Sequence, residues 1–204
     1  ITLRKKLVED GAIFYTTSDT ETIVQLIAKS KRAKTIDKVV DALFQIQGGY
    51  ALVMLTQSTL IGVRDPYGIR PLVIGKINSS YVFASETCAL DIIGAKYLRD
   101  VENGEIVFVE DGKLNSIKPF PEKKIRPCVF EYIYFSRPDS ILNGECAYEY
   151  RKRLGIELAK ETEIDADLVV PVPDSGNAAA IGFSKFTGKN FELGLIRNHY
   201  VGRT

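Results

Sequence analysis

The sequence is poor in the residues that most often carry chemistry unaided. It holds one histidine, His199, and three cysteines, Cys88, Cys128 and Cys146. A single imidazole, set between Arg197 and Arg203, leaves no Ser-His-Asp relay to assemble, and His199 reads as exposed loop. An odd, sparse set of cysteines with no C-x-x-C spacing excludes a disulfide framework and a self-contained zinc site, and favours a reducing compartment. Cys88, inside a short apolar helix, reads as core. Long apolar runs are missing as well. None approaches the ~20 residues of a membrane span, and no charged n-region with an apolar h-region opens the chain. No membrane association and a cytoplasmic setting are expected. Excess charge is also absent: 27 Lys+Arg stand against 26 Asp+Glu, a net of +1. Binding to phosphate backbones needs a basic surface, so nucleic acid is not an expected partner. The basic runs Arg4-Lys5-Lys6, Lys29 to Lys34 and Lys123-Lys124 with Arg126 read as solvated faces. Met54 is the only methionine and Ile1 comes first, so a fragment, processed form or trimmed chain is expected.

What is present is ordinary for a globular protein. Hydrophobic residues make up 45% and charged residues 26% of 204, enough for one large domain or two small ones. Leu3 and Leu7, with Gly11 as a stop, predict an opening helix. Ile13 to Tyr15 reads as a short strand. Ser18-Asp19-Thr20-Glu21 has the form of a capping box, with Ser18 as N-cap, and starts a helix whose Ile23, Val24 and Ile27 share a face. Ile36, Val39, Val40, Leu43 and Phe44 form a second amphipathic stripe. Past Gly48-Gly49 the period changes. Strands are predicted at 50–56, 59–63, 72–77, 81–84, 105–109 and 113–116, with turns at Gln57-Ser58, Asp65 to Gly68, Asn78 to Ser80 and Asp111-Gly112. A short helix spans 86–93. Antiparallel strands with helices grouped before them indicate an α+β layer.

Pro119 to Pro127 holds three prolines and three basic residues and reads as a linker. Beyond it the pattern becomes α/β. Ala147 to Thr162 is a predicted helix with Ala147, Tyr150, Leu154 and Leu158 on one stripe. Asp167 to Val172 suits a buried parallel strand. The turn Pro173 to Gly176 leads into a helix at 177–186, and 191–196 is a second strand. This is a β-turn-α-β unit.

Three places could carry chemistry. Asp19, in the first turn of a helix, is either a helix-dipole acid or a carboxylate that captures a ligand ammonium. The turn at Asp174-Ser175-Gly176 joins the carboxyl end of a strand to a helix N-terminus, where unpaired N–H groups favour anions. Ser175 adds a hydroxyl that phosphate or Mg²⁺ can use. The same residues read equally well as an ordinary N-cap. Arg64 to Leu72 reads as strand, turn and strand, with Asp65 in a structural ion pair to Arg64 or Arg70.

Five stretches together resemble the glutamine phosphoribosylpyrophosphate amidotransferase family. They are Thr16 to Glu21, Arg64 to Leu72 with Phe83 to Glu86, Phe130 to Ser140, Val172 to Ser175 and Asn198 to Thr204. The run Phe-Glu-Tyr-Ile-Tyr-Phe-Ser-Arg-Pro-Asp-Ser is the most specific. The resemblance implies the C-terminal part of a class II glutamine amidotransferase domain of N-terminal-nucleophile αββα type over 1–118. A linker at 119–127 and the start of a type I phosphoribosyltransferase domain at 128–204 would follow. The implied reaction makes phosphoribosylamine, glutamate and pyrophosphate, the first step of purine synthesis. By the same resemblance Asp19 holds the glutamine α-amino group. Asp174, Ser175 and Gly176 hold pyrophosphate, and Ser175 also touches Mg²⁺. Arg197, Tyr200 and Arg203 begin a flexible loop, in which the family usually carries Arg where this chain has His199. Cys128 resembles one ligand of a [4Fe-4S] cluster found in one branch. The nucleophilic cysteine and the ribose-phosphate loop of the family are not among these residues. The chain by itself is therefore expected to lack both half-reactions, to hold no cofactor, and to cover its exposed sheet edges in a homo-oligomer. A non-catalytic phosphate- or nucleotide-binding module and a decayed remnant are the rival readings.

Overall fold

The structure, a computed structural model, describes residues 2–202. Three helices come first: α1 (Thr2–Glu9), α2 (Thr20–Lys29) and α3 (Thr35–Leu43). Then come β1 (Ala51–Leu55), β2 (Thr59–Arg64), β3 (Val73–Ile77), β4 (Ser80–Ala84), α4 (Thr87–Ile92), β5 (Lys96–Asp100), β6 (Ile106–Glu110) and β7 (Lys113–Ile117). The strands form two antiparallel sheets, ordered β1-β2-β6-β7 and β4-β3-β5.

Strand alternation decides what each face meets. Ile61, Val63 and Ile106 turn to Ile23, Val39 and Leu43 of the helices. The neighbour of Ile106, Val107, turns the other way and shares a core with Leu72 and Ile74 of the smaller sheet. Gly62 allows this approach: a Cβ there would come within 2.5 Å of the Phe83 ring. On the outer side of the smaller sheet, Val73 packs with Leu90 of α4.

Several expectations need correction here. Ile13 to Tyr15 is not a strand. Ile13 and Tyr15 are exposed, and the amides of Tyr15 and Thr16 donate to the Glu21 carboxylate at 2.7 and 2.8 Å. That is also why no capping box forms. Glu21 is used by the preceding loop, and the N-cap of α2 is Asp19, whose side chain makes no capping bond. Val24 is exposed, and Leu26 takes its place in the core. The polar strand β5, which pairs with β3, was not predicted; its Lys96, Tyr97 and Leu98 are exposed, so no alternation marks it.

The stretch 119–127 has no regular structure, but it is not a free tether. The amides of Arg126 and Cys128 donate to the carbonyls of Tyr67 and Ile69 at 2.8 and 3.0 Å. A one-turn π-helix (Glu131–Phe135) follows, then β8 (Ile141–Leu142), β9 (Glu145–Cys146), α5 (Ala147–Glu161), β10 (Leu168–Val169), α6 (Asn177–Thr187) and β11 (Asn190–Phe191). Strands β10 and β11 are parallel, as predicted, but only two residues long each. The buried face of α5 is Ala147, Arg151, Gly155 and Ala159. Leu154 and Leu158 lie outside it, against expectation. The reason is close approach: a Cβ on Gly155 would run into the Ala179 carbonyl of α6, and one on Gly182 into the Lys152 carbonyl of α5.

Candidate functional site

An open cleft of about 620 Å³ lies where the elements of residues 128–202 meet α4. One wall is the turn Asp174-Ser175 with Asn177 and Ala178 at the start of α6; the floor includes Arg151 and Tyr148 of α5. The opposite wall is Tyr134 to Pro138 together with Glu86. Three residues, Val170 to Val172, lead from β10 into the turn. Its Gly176 amide donates to the Val172 carbonyl at 3.0 Å, and a Cβ at Gly176 would sit 2.7 Å from that same oxygen. The Pro173–Asp174 peptide is cis. Asp174 and Ser175 are exposed. Within the cleft, Asn177 keeps a buried Oδ1 with no hydrogen-bond partner.

Arg151 is 6% exposed and spans the cleft floor. Its Nε donates to the Tyr132 carbonyl and its Nη2 to the Ser136 carbonyl, both at 2.7 Å. Burial lowers its pKa and the Glu86 carboxylate works the other way; a guanidinium remains charged regardless. Arg137, half-exposed, forms a bidentate pair with Asp139 at 2.8 Å, which raises the arginine's pKa and lowers the aspartate's. Glu131 is buried and lies 2.9 Å from the Arg70 guanidinium in an ion pair off the line of a hydrogen bond; Ser136 donates to its other oxygen at 3.2 Å.

The predicted site residues divide into groups. Arg197 reaches Asp174, Nη1 to Oδ2 at 3.2 Å, so the loop after β11 folds back onto the turn. Tyr200 is fully exposed, its amide donating to the Asn198 side chain at 2.9 Å. Arg203 lies outside the described residues. Asp19 is exposed at the start of α2, away from the cleft's lining. The loop before it is braced by Glu21 and by Arg4, which donates to the carbonyls of Thr16 and Ser18. Cys128 is half-buried, and no group of three or more His, Cys, Asp or Glu among the described residues could hold a metal ion. A [4Fe-4S] cluster needs four thiolates, and the sequence has three cysteines. These residues therefore do not by themselves fit a cluster. Magnesium is different: Asp174 and Ser175 offer hard oxygen donors on one turn, which suits an ion that keeps most of its ligands from water and substrate.

Sequence reasoning missed Glu86 and Arg151. Glu86 ends the stretch Phe83 to Glu86, and a charged residue at a strand end preceding a helix was its only signal. Arg151 was hidden by the leucine stripe beside it.

A model of the glutamine amidotransferase domain matches residues 1–91. The amidophosphoribosyltransferase of Rhizobium etli is 52% identical over the whole chain, which spans 42% of that relative. The amidophosphoribosyltransferase of Bacillus subtilis is 45% identical over 99% of the chain, again 42% of the relative. Over its whole length the chain is similar to amidophosphoribosyltransferases. It spans about two fifths of the length of the curated relatives it matches. Among solved structures, the Bacillus subtilis glutamine phosphoribosylpyrophosphate amidotransferase, complexed with ADP and GMP, superposes with a TM-score of 0.96 at 44% identity. It covers 99% of this chain and 44% of its own. A chloroplastic amidophosphoribosyltransferase of Arabidopsis thaliana is 48% identical over the whole chain, which spans 36% of that relative. The segment Phe130 to Ser140, which carries the resemblance most specifically, is bonded to Glu86 and lines the cleft together with the turn at Asp174. No helix among the described residues is long and apolar enough to cross a membrane.

Proposed function

We propose that this chain supplies the glutamine-facing and pyrophosphate-facing framework of an amidophosphoribosyltransferase acting in purine nucleotide synthesis. Residues 1–118 are read as part of a class II glutamine amidotransferase domain of αββα type, 119–127 as a linker, and 128–204 as the start of a type I phosphoribosyltransferase domain. The observation that carries the reading is the single cleft in which the family's motif segment and the β10–α6 turn face one another.

The roles follow from charge and position. Asp19 is assigned to the glutamine ammonium, since an exposed carboxylate at an unshared N-cap is free to pair with a cation. Asp174, Ser175 and Gly176 are assigned to pyrophosphate, with amides at the start of α6 as donors. Magnesium, when bound, would neutralise pyrophosphate charge, with Asp174 and Ser175 as its oxygen donors on the protein. Arg197, already paired with Asp174, is placed to exchange that carboxylate for a phosphate oxygen; Tyr200 and Arg203 continue the same loop. Cys128 is retained as one thiolate only, and no step depends on it.

The test is a reciprocal one, in an active protein that carries these residues. Asp19→Asn should raise KM for glutamine and leave ammonia-dependent phosphoribosylamine formation unchanged. Ser175→Ala should raise KM for phosphoribosylpyrophosphate and leave glutamine hydrolysis unchanged. Equal effects of both variants on both half-reactions would contradict the assignment.

A further inference from the structure

Of the described residues that line the cleft, Glu86 alone comes from the first half of the chain. Its Oε2 accepts from the Arg137 amide at 2.8 Å and from the Ser140 hydroxyl at 2.7 Å, with the Cys88 thiol at 3.6 Å as a weaker donor. The next residue, Thr87, accepts from the Ile141 amide through Oγ1 at 2.8 Å. The loop from Ser136 to Ile141 is thus gripped at two points by the beginning of α4. From the other side Arg151 holds the Ser136 carbonyl of the same loop and the Tyr132 carbonyl of the π-helix before it. Arg151 belongs to α5, and α5 interlocks through Gly155 and Gly182 with α6, whose first turn is the far wall of the cleft.

The loop has no apolar anchor. Its buried residues are Ser136 and Ser140, while Arg137, Pro138 and Asp139 are exposed. Burial of hydrocarbon therefore does not fix its position, and the polar grip must. A carboxylate accepting from an amide and a hydroxyl is among the stronger neutral-to-charged arrangements. Its loss would take the carboxylate acceptor from the buried Ser140 hydroxyl and from the Arg137 amide.

We infer that Glu86 is a positioning residue that sets the separation of the cleft's two walls, so that α4 and the Asp174–Asn177 turn move as one body. Its carboxylate contacts no proposed ligand; it acts through the Ser136–Ile141 loop. This reading concerns the joint and stands whether or not pyrophosphate is the occupant.

The experiment pairs amide exchange with a distance measurement across the cleft. In Glu86→Ala, the Arg137 and Ile141 amides are expected to exchange about ten- to a hundred-fold faster, while the central strand β2 keeps its protection. Glu86→Gln keeps an amide oxygen as acceptor and should fall between. Spin labels on encoded ketone side chains at Asp91 and Lys185, both exposed, should report one narrow distance in the parent, a broadened distribution in Glu86→Ala, and partial recovery in Glu86→Gln. An unchanged distance distribution in Glu86→Ala would overturn the inference. So would loss of protection throughout β2, which would make Glu86 part of the general stability of the fold. If Glu86→Ala does not fold, Ser140→Ala removes one donor without touching the carboxylate, and the same two readings decide.

Discussion

Among the described residues Asp65 forms no ion pair with an arginine, although Arg64 and Arg70 stand within five residues of it. Its carboxylate is fully buried and accepts from the amides of Tyr50, Tyr67 and Ile69 at 3.2, 2.8 and 3.1 Å. The turn amides reach it before any guanidinium can, and Arg64 spends its donors on the carbonyls of Gly68, Arg70 and Val101. Asp65→Ala leaves three amides without this acceptor and should cost on the order of 3 kcal/mol or more in urea unfolding. The same carboxylate, after burial, helps push the Tyr50 phenol up to about 12. Glu105 gives the pH dependence its acid limb. Burial would raise its carboxyl, but Arg99, Ser116 and the Glu102 amide outweigh burial and hold it below its ordinary 4.5. A lowered folded value means stability that is complete above about pH 4.5 and is lost as pH falls through the folded value. Acid titrations of the unfolding free energy should show this loss in the parent chain and a flatter limb in Glu105→Gln. The residue types of the turn were legible in the sequence; which donors the carboxylates would choose was not, because that depends on strands brought together across the fold.

Helix α5 shows how an apolar stripe misleads. Leu154 and Leu158 obey helical spacing, yet the face that packs carries Arg151, Gly155 and Ala159. Close helix contact selects small residues, and glycine gives no hydrophobic signal to read. The two faces make opposite predictions. Gly155→Ala forces the helices apart and should cost about 1–3 kcal/mol, occasionally more. Leu154→Gln, on the more exposed face, should stay within about 0.5 kcal/mol. Thermal melts of the two variants distinguish the faces directly. The helix and strand order of residues 36–63 was legible because its periods are clean. Strand β5 was not, since an edge strand with exposed side chains carries no alternation. The β8–β9 hairpin carried a signal that was overlooked: Asn143 and Gly144 both take positive φ, at 48° and 84°, the pairing a tight hairpin turn requires.

At the scale of the whole molecule, the stretches that carry the resemblance form a joint. Residues 64–72 meet 126–131 through two backbone hydrogen bonds and the Arg70–Glu131 pair, and Glu86-Thr87 meets 137–141 through three more hydrogen bonds. The identity of these stretches was legible, and through it the family; their meeting was not, since 54 residues separate Glu86 from Ser140. A joint of this kind makes the cleft a fixed frame, and the central claim is that the frame's far wall takes pyrophosphate. The most direct test is a magnetic resonance titration of the chain with magnesium pyrophosphate, following backbone amides. Saturable shifts are expected at Ser175, Gly176 and Asn177, abolished in Ser175→Ala. Shifts confined to the basic stretch around Lys123 and Lys124, or none that saturate, would contradict it.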